Sequence, residues 1–166
     1  MTTTGESRTA TPSYRFRSAW EVPGATVPQV YDVLRDVAGY PDWWRSVLAV
    51  GRLADDAALV ACRSRVPKTL HLVLRPVVED RDSGVLEAAL EGDLVGVSRF
   101  ELQQGDGAVA VDYHQEVDTP DGLLRLAGRV ARPLLVWNHE QMMRALREDL
   151  AARLSASGPR TPAPRG

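Results

Sequence analysis

The sequence predicts an α+β fold in which a curved antiparallel sheet of seven strands wraps around one long, kinked C-terminal helix. Three observations carry this expectation. Tyr14 to Val22 alternates large apolar with polar or small residues, the period of a half-buried strand. From Val47 to Val117, β-branched and apolar runs are cut by turn clusters roughly every 10 to 12 residues, the mark of an antiparallel meander of six strands. Beyond Thr119-Pro120, apolar residues recur at helical spacing to Leu154. A sheet with one apolar face needs a cover, and this last helix is the only element long enough to supply it.

Each element follows from local chemistry. In the first strand Tyr14, Phe16, Trp20 and Val22 face one way, and Pro23-Gly24 ends it. Thr26-Val-Pro-Gln29 is a capping box, and Val27, Val30, Tyr31 and Leu34 then follow at helical spacing to about Val37. Gly39 stops that helix, and Tyr40-Pro-Asp-Trp-Trp-Arg45 reads as a second short helix with Pro41 near its start. The meander turns at 54–56, 66–68, 80–84, 91–93 and 105–107. Its last strand puts Val109, Val111, Tyr113 and Val117 on one face and Asp112, His114 and Glu116 on the other. Thr119 caps the final helix with Pro120 at its first position, and Pro133 should kink or break it near Arg132. Before that proline the apolar stripe is Leu123, Leu126/Ala127, Val130 and Leu134; after it, His139, Met142/Met143, Leu146, Leu150 and Leu154. Met1 to Ser13 and Ser155 to Gly166 are rich in Thr, Ser, Pro, Gly and Arg and read as disordered tails, leaving one domain over 14–154.

Composition narrows the function classes. A chain of 166 residues is one domain by size. Its net charge of −2, without a block of like charge, argues against a nucleic-acid partner. The longest apolar runs, such as Leu134 to Trp137, fall far short of the ~18 residues a membrane span needs. The N-terminal segment has no apolar core of the kind a secretory signal requires, so a cytoplasmic location is expected. Cys62 alone makes no intrachain disulfide and reads as a small buried hydrophobe. A sheet wrapped around a helix encloses a space, and a small-molecule site is its natural use.

Val30-Tyr-Asp-Val-Leu-Arg-Asp-Val-Ala-Gly-Tyr-Pro-Asp-Trp-Trp44 resembles the opening helices of the polyketide cyclase/dehydrase group within the START-like (SRPBCC) superfamily. Trp137-Asn-His-Glu-Gln-Met-Met143, running on to Leu154, is similar to the C-terminal helix of many such proteins. The resemblance covers about Tyr14 to Leu154 in element order, and only these two passages are close at residue level. It implies a helix-grip fold with a deep, mostly apolar cavity between sheet and helix. It implies little about chemistry, because the superfamily holds carriers, hormone-binding proteins and aromatase/cyclases alike.

The candidate site residues are those that this arrangement turns inward. His139 lies on the apolar stripe with Met142, Met143 and Leu146; an inward imidazole can bond a ligand carbonyl or act as a general base. Set against that is a core histidine bonded within the protein. Asn138, one position round, shares the role or repairs the kink. Tyr113 offers a hydroxyl on an apolar face, as a ligand contact, an oxyanion donor or a core tyrosine. Trp43 and Trp44 sit where the cavity would close; adjacent helical residues point about 100° apart, so one of them turns in. Phe16, Leu72 and Met142 supply apolar lining, and Trp20 and Trp137 read as core. The string from His139 to Met143 is not a zincin motif, because Met143 stands where the second histidine is needed. A metal held by His71, His114 and His139 is disfavoured, since His114 shares a face with Asp112 and Glu116, and no cofactor is called for. Arg63, Arg65, Arg75 and Arg99 read as solvated, Arg75 least clearly.

The expected function is binding of a hydrophobic or aromatic small molecule, lipid- or polyketide-like, in the internal cavity. A first alternative is a cyclase/aromatase using His139 as base and Tyr113 as oxyanion donor; the scarcity of inward polar residues in the sequence favours binding over it. A second is an interaction module whose cavity is filled by side chains, to which a cavity under about 300 Å3 would point. Oligomeric state is not legible.

Overall fold

The computed structural model describes residues 14–63, 69–120 and 128–157. Both terminal tails up to 13 and from 158, the turn at 66–68, Arg65, and the stripe residues Leu123, Leu126 and Ala127 lie outside the described residues. Seven strands form one antiparallel sheet: β1 (Tyr14–Pro23), β2 (Val47–Arg52), β3 (Ala58–Cys62), β4 (Leu70–Asp80), β5 (Val85–Gly92), β6 (Val95–Gln104) and β7 (Ala108–Asp118). Their order is β1-β7-β6-β5-β4-β3-β2. The meander pairs neighbour to neighbour, and β1 closes on β7 over its full length, from Tyr14 opposite Val117 to Pro23 opposite Ala108. Helices α1 (Val27–Arg35), α2 (Tyr40–Trp43) and α3 (Gly128–Ser157) complete it, with a 3-10 turn at Val37–Gly39 between the first two. The helix-grip arrangement expected from the sequence is the one observed.

Local causes are visible at the ends of elements. The Thr26 amide donates to Gln29 Oε1 at 2.9 Å, and the next free amide, that of Val27, is taken by Gln104 Oε1 at 3.1 Å. Helix α1 stops at Arg35 rather than Val37, because the Asp36 carboxylate accepts the Gly39 amide at 3.3 Å and tightens the chain into the 3-10 turn. Thr119 and Pro120 are not helical, and the described part of the last helix begins at Gly128. It runs continuously through Pro133 and on to Ser157, past Leu154 and into the expected tail; the Ser155 and Ser157 hydroxyls donate to the carbonyls of Ala151 and Arg153.

Helix α3 lies across the inner face of the sheet. Leu146 and Leu150 are fully buried there against Val30, Tyr31 and Leu34 of α1 and Val109 and Val111 of β7. Arg45, just after α2, grips the same helix: its amide and Nη1 both donate to Asp149, each at 2.9 Å. The stripe facing the sheet is 135, 138, 139, 142, 143, 146 and 150, so Leu134 and Trp137, expected inward, stand one residue off it and are 41 % and 40 % exposed. The outer face carries charged pairs alongside exposed Leu59, Val95 and Val97. Arg99 is held between Glu101 (2.6 Å) and Glu87 (2.8 Å), Arg75 bonds Glu91 at 3.0 Å, and Arg63 is exposed.

Two turns isolate the cost of a left-handed backbone. Gly84 (φ +71°) and Gly107 (φ +75°) both adopt it, but a Cβ at Gly84 would lie 2.6 Å from the Leu102 carbonyl, whereas Gly107 faces open space. Gly107→Ala should cost about 1–2 kcal/mol, the left-handed strain alone. Gly84→Ala should cost clearly more, because backbone must move. Urea titrations of both variants check this; equal midpoints would refute it.

Candidate functional site

Between the inner face and α3 lies a cavity of about 130 Å3. The helix contributes Leu135, Asn138, His139, Met142, Met143 and Leu146, one face at 3-4-3-4 spacing. From the sheet come Phe16 of β1, Leu70, Leu72 and Leu74 of β4, Ser98 and Phe100 of β6, and Tyr113, Gln115 and Val117 of β7. Cys62 of β3, Tyr40 and Trp44 also belong to the wall.

Register decides which side chains meet. Gln115 stands between Phe16 and Ser98, and Tyr113 between Ser18 and Phe100. The Tyr113 hydroxyl donates to Gln115 Oε1 at 3.0 Å, which satisfies it in a buried setting; burial pushes its pKa well above the ordinary phenol value. His139 stacks on Phe16 with ring centroids 3.9 Å apart and planes 11° apart, and lies 6.0 Å from the Tyr113 ring. Its Nε2 is covered and has no hydrogen-bond partner among the described residues, and the same holds for Nε1 of Trp44. Burial lowers the His139 pKa to about 4, so the ring is neutral at pH 7. The Asn138 amide touches Met142 Sδ at 3.7 Å. The Cys62 thiol is driven up to about 11 by burial, which makes it a poor nucleophile.

Of the residues proposed from sequence, Phe16, Trp44, Leu72, Tyr113, Asn138, His139 and Met142 share this wall, and the rings of His139 and Tyr113 stack in it. Trp43 does not line it. Its ring stacks on Trp44 at 6.1 Å and meets Tyr40 edge-on, packing behind the wall because α2 turns only its neighbour inward. Reading few polar groups into the cavity was an undercount: Gln115, Ser98 and Thr119 line it too. The signal was available, since alternation from Val109 to Val117 passes through 115 and Ser98 shares the face of Phe100. The other histidines are elsewhere. His71, 61 % exposed, faces Asp93 outside, and His114 stands opposite Arg17 and Arg99 on the outer face. Among the described residues, no group of three His, Cys, Asp or Glu could hold a metal ion. Nor, among them, is any helix long and apolar enough to cross a membrane.

Residues 23–140 match the family model described as polyketide cyclase / dehydrase and lipid transport. The chain belongs to this family. Solved structures agree in fold. The ZhuI aromatase/cyclase from Streptomyces sp. R1128 superposes with a TM-score of 0.69 at 14 % identity, covering 86 % of this chain and 94 % of that one. A START superfamily protein from Mycobacterium smegmatis gives 0.63 at 15 % identity, covering 87 % and 99 %. Norcoclaurine synthase from Thalictrum flavum gives 0.64 at 11 % identity, covering 90 % and 99 %. No curated protein matches the chain by sequence. At these identities the likeness is one of fold, and site chemistry has to be argued from this chain's own residues.

The buried imidazole has a consequence for stability. Folded His139 titrates near 4 and an unfolded histidine near 6.5, so between those values the unfolded chain binds the extra proton. This contribution is intact above pH 6.5 and is lost as pH falls toward 4, on the order of 2 kcal/mol. His139→Phe keeps a planar ring against Phe16 and should flatten the slope of stability with pH across that window. Urea midpoints from pH 4 to 7.5 measure it; an unchanged slope would mean that His139 is not the group responsible.

Proposed function

We propose that this member of the family binds a compact apolar or aromatic small molecule, non-covalently, in the cavity between sheet and α3. The observation that supports this best is the composition of the wall: a mostly apolar enclosure with a few buried polar side chains, the bonded pair Tyr113 and Gln115 beside His139 and Asn138. That is how ligand sites combine affinity with orientation. The enclosed space is small. An engineered apolar cavity of about 150 Å3 takes up benzene, so 130 Å3 suits one ring. Unbranched Met142 and Met143 can repack around such an occupant.

A cyclase reading draws on the proximity of His139 and Tyr113. Basicity weighs against it, because a general base works best with a pKa near the operating pH and burial takes His139 down to about 4. The side-chain-filled reading draws on the volume, which is below the ~300 Å3 of ordinary ligand pockets. It loses force because the cavity adjoins a much larger groove, described below.

Native mass spectrometry of freshly purified protein, before and after denaturation, tests the proposal. The expected result is either a defined excess mass that denaturation removes or uptake of single-ring aromatics by apo protein. Met142→Trp should fill the cavity and reduce that uptake at least tenfold while costing about 1–3 kcal/mol in overpacking. A clean apo mass together with no uptake of any aromatic would sink the binding reading.

A further inference from the structure

A second concavity, of about 710 Å3, lies on the other side of the cavity wall. It is bounded by the end of α1 and the 3-10 turn, by the β2–β3 hairpin, and by β4 and β5. Four residues, Tyr40, Leu74, Ser98 and Phe100, belong to both linings. One layer of side chains therefore separates the two spaces.

The opening has a cause in the sequence. Strand β3 pairs with β4 only over Leu70–Leu74, while β4 continues to Asp80 paired with β5 alone. Pro76 has no N–H with which to extend a ladder toward β3, and the register slips between Pro76 and Val78. The hairpin reverses at Asp55 and Asp56, both with positive φ, and leaves β4 behind. What remains is a window in the side of the sheet. Its rim carries five acids (Asp32, Asp36, Asp56, Glu79, Glu87) against Arg35 and Arg52. Arg81 neutralises Asp32 from outside and Arg99 is shared between Glu87 and Glu101, so the balance stays acidic.

We infer that this window is the route by which ligand reaches the inner cavity, and that the outer groove is a second subsite for the uncharged, hydrogen-bonding end of an elongated ligand whose ring lies inside. The inference rests on the proposed binding function. The shared layer of Tyr40, Leu74, Ser98 and Phe100 has to part for one ligand to occupy both spaces, which together hold far more than one ring. The acidic balance of the rim disfavours a carboxylate or phosphate at that end, since like charges in a partly desolvated groove repel.

The test uses Ala38→Cys, an exposed position that lines the groove and not the cavity. Cys62 stays unreactive because it is buried. Association of N-phenyl-1-naphthylamine, a neutral fluorophore with a naphthyl and a phenyl group, is followed by stopped flow before and after a bulky disulfide reagent is attached, and again after reduction. Attachment should slow association at least tenfold, and reduction should restore it. An unchanged rate with binding intact overturns the window as the route. In a second arm, 4-phenylbutanol should bind at least fivefold more tightly than 4-phenylbutyrate, and Asp56→Asn should narrow the gap; equal affinities overturn the assignment of the polar end. If unmodified protein binds neither the fluorophore nor single-ring aromatics, the binding function itself is wrong and the window falls with it.

Discussion

Everything in this molecule hangs on how the C-terminal half of α3 is clamped. Leu146 and Leu150 are fully buried between α1 and β7, where truncation of a single leucine typically costs about 2–5 kcal/mol. Arg45 adds a hydrogen-bonded grip on Asp149 from the other side. With that half fixed, the preceding turns of the helix project over the inner face at a set height and rotation. The same stripe that is leucine at 146 and 150 becomes Asn138, His139 and Met142 two turns earlier. One helix is thus a core element at one end and a wall at the other.

That wall accepts chemistry a core would avoid. Among the described residues, a covered imidazole nitrogen of His139 and a covered indole N–H of Trp44 have no partners, each unfavourable by about 1–3 kcal/mol. Both residues line the cavity; the covered indole N–H of Trp20, away from it, has the same deficit. Met142 and Met143, soft and unbranched, stand beside them where a leucine would fit one shape only. The Tyr113 hydroxyl donates to Gln115 Oε1, which fixes the two side chains against each other.

Periodic features were legible in the sequence and context-dependent ones were not. The alternation in β7 and the helical spacing after Pro133 both reflect one side facing apolar surroundings, and they located Tyr113, Asn138, His139 and Met142. Gln115 escaped because its polar type outweighed its position in an unbroken alternation. Trp137 and Leu134 misled for the converse reason: large and apolar, they sit one residue off the stripe. The groove at the side of the sheet had no sequence signal that could be read alone. Pro76 marks a bulge, but the window depends on where β3 ends relative to it, and that is a property of register between strands.

The strand order carries a further consequence for how the chain finds this structure. Strands β2 to β7 form a meander whose neighbours are joined by short connections, so each pairing closes a short loop. Strand β1 instead pairs with β7, Tyr14 against Val117, across almost the whole domain. Loop-closure entropy rises with the length of chain enclosed, so this is the costliest pairing to make. The meander can assemble from neighbouring segments in sequence; β1 must wait for its partner and then set Phe16 in place beneath His139. The aromatic face of the cavity is therefore built by contacts between distant parts of the chain, which the meander on its own does not supply.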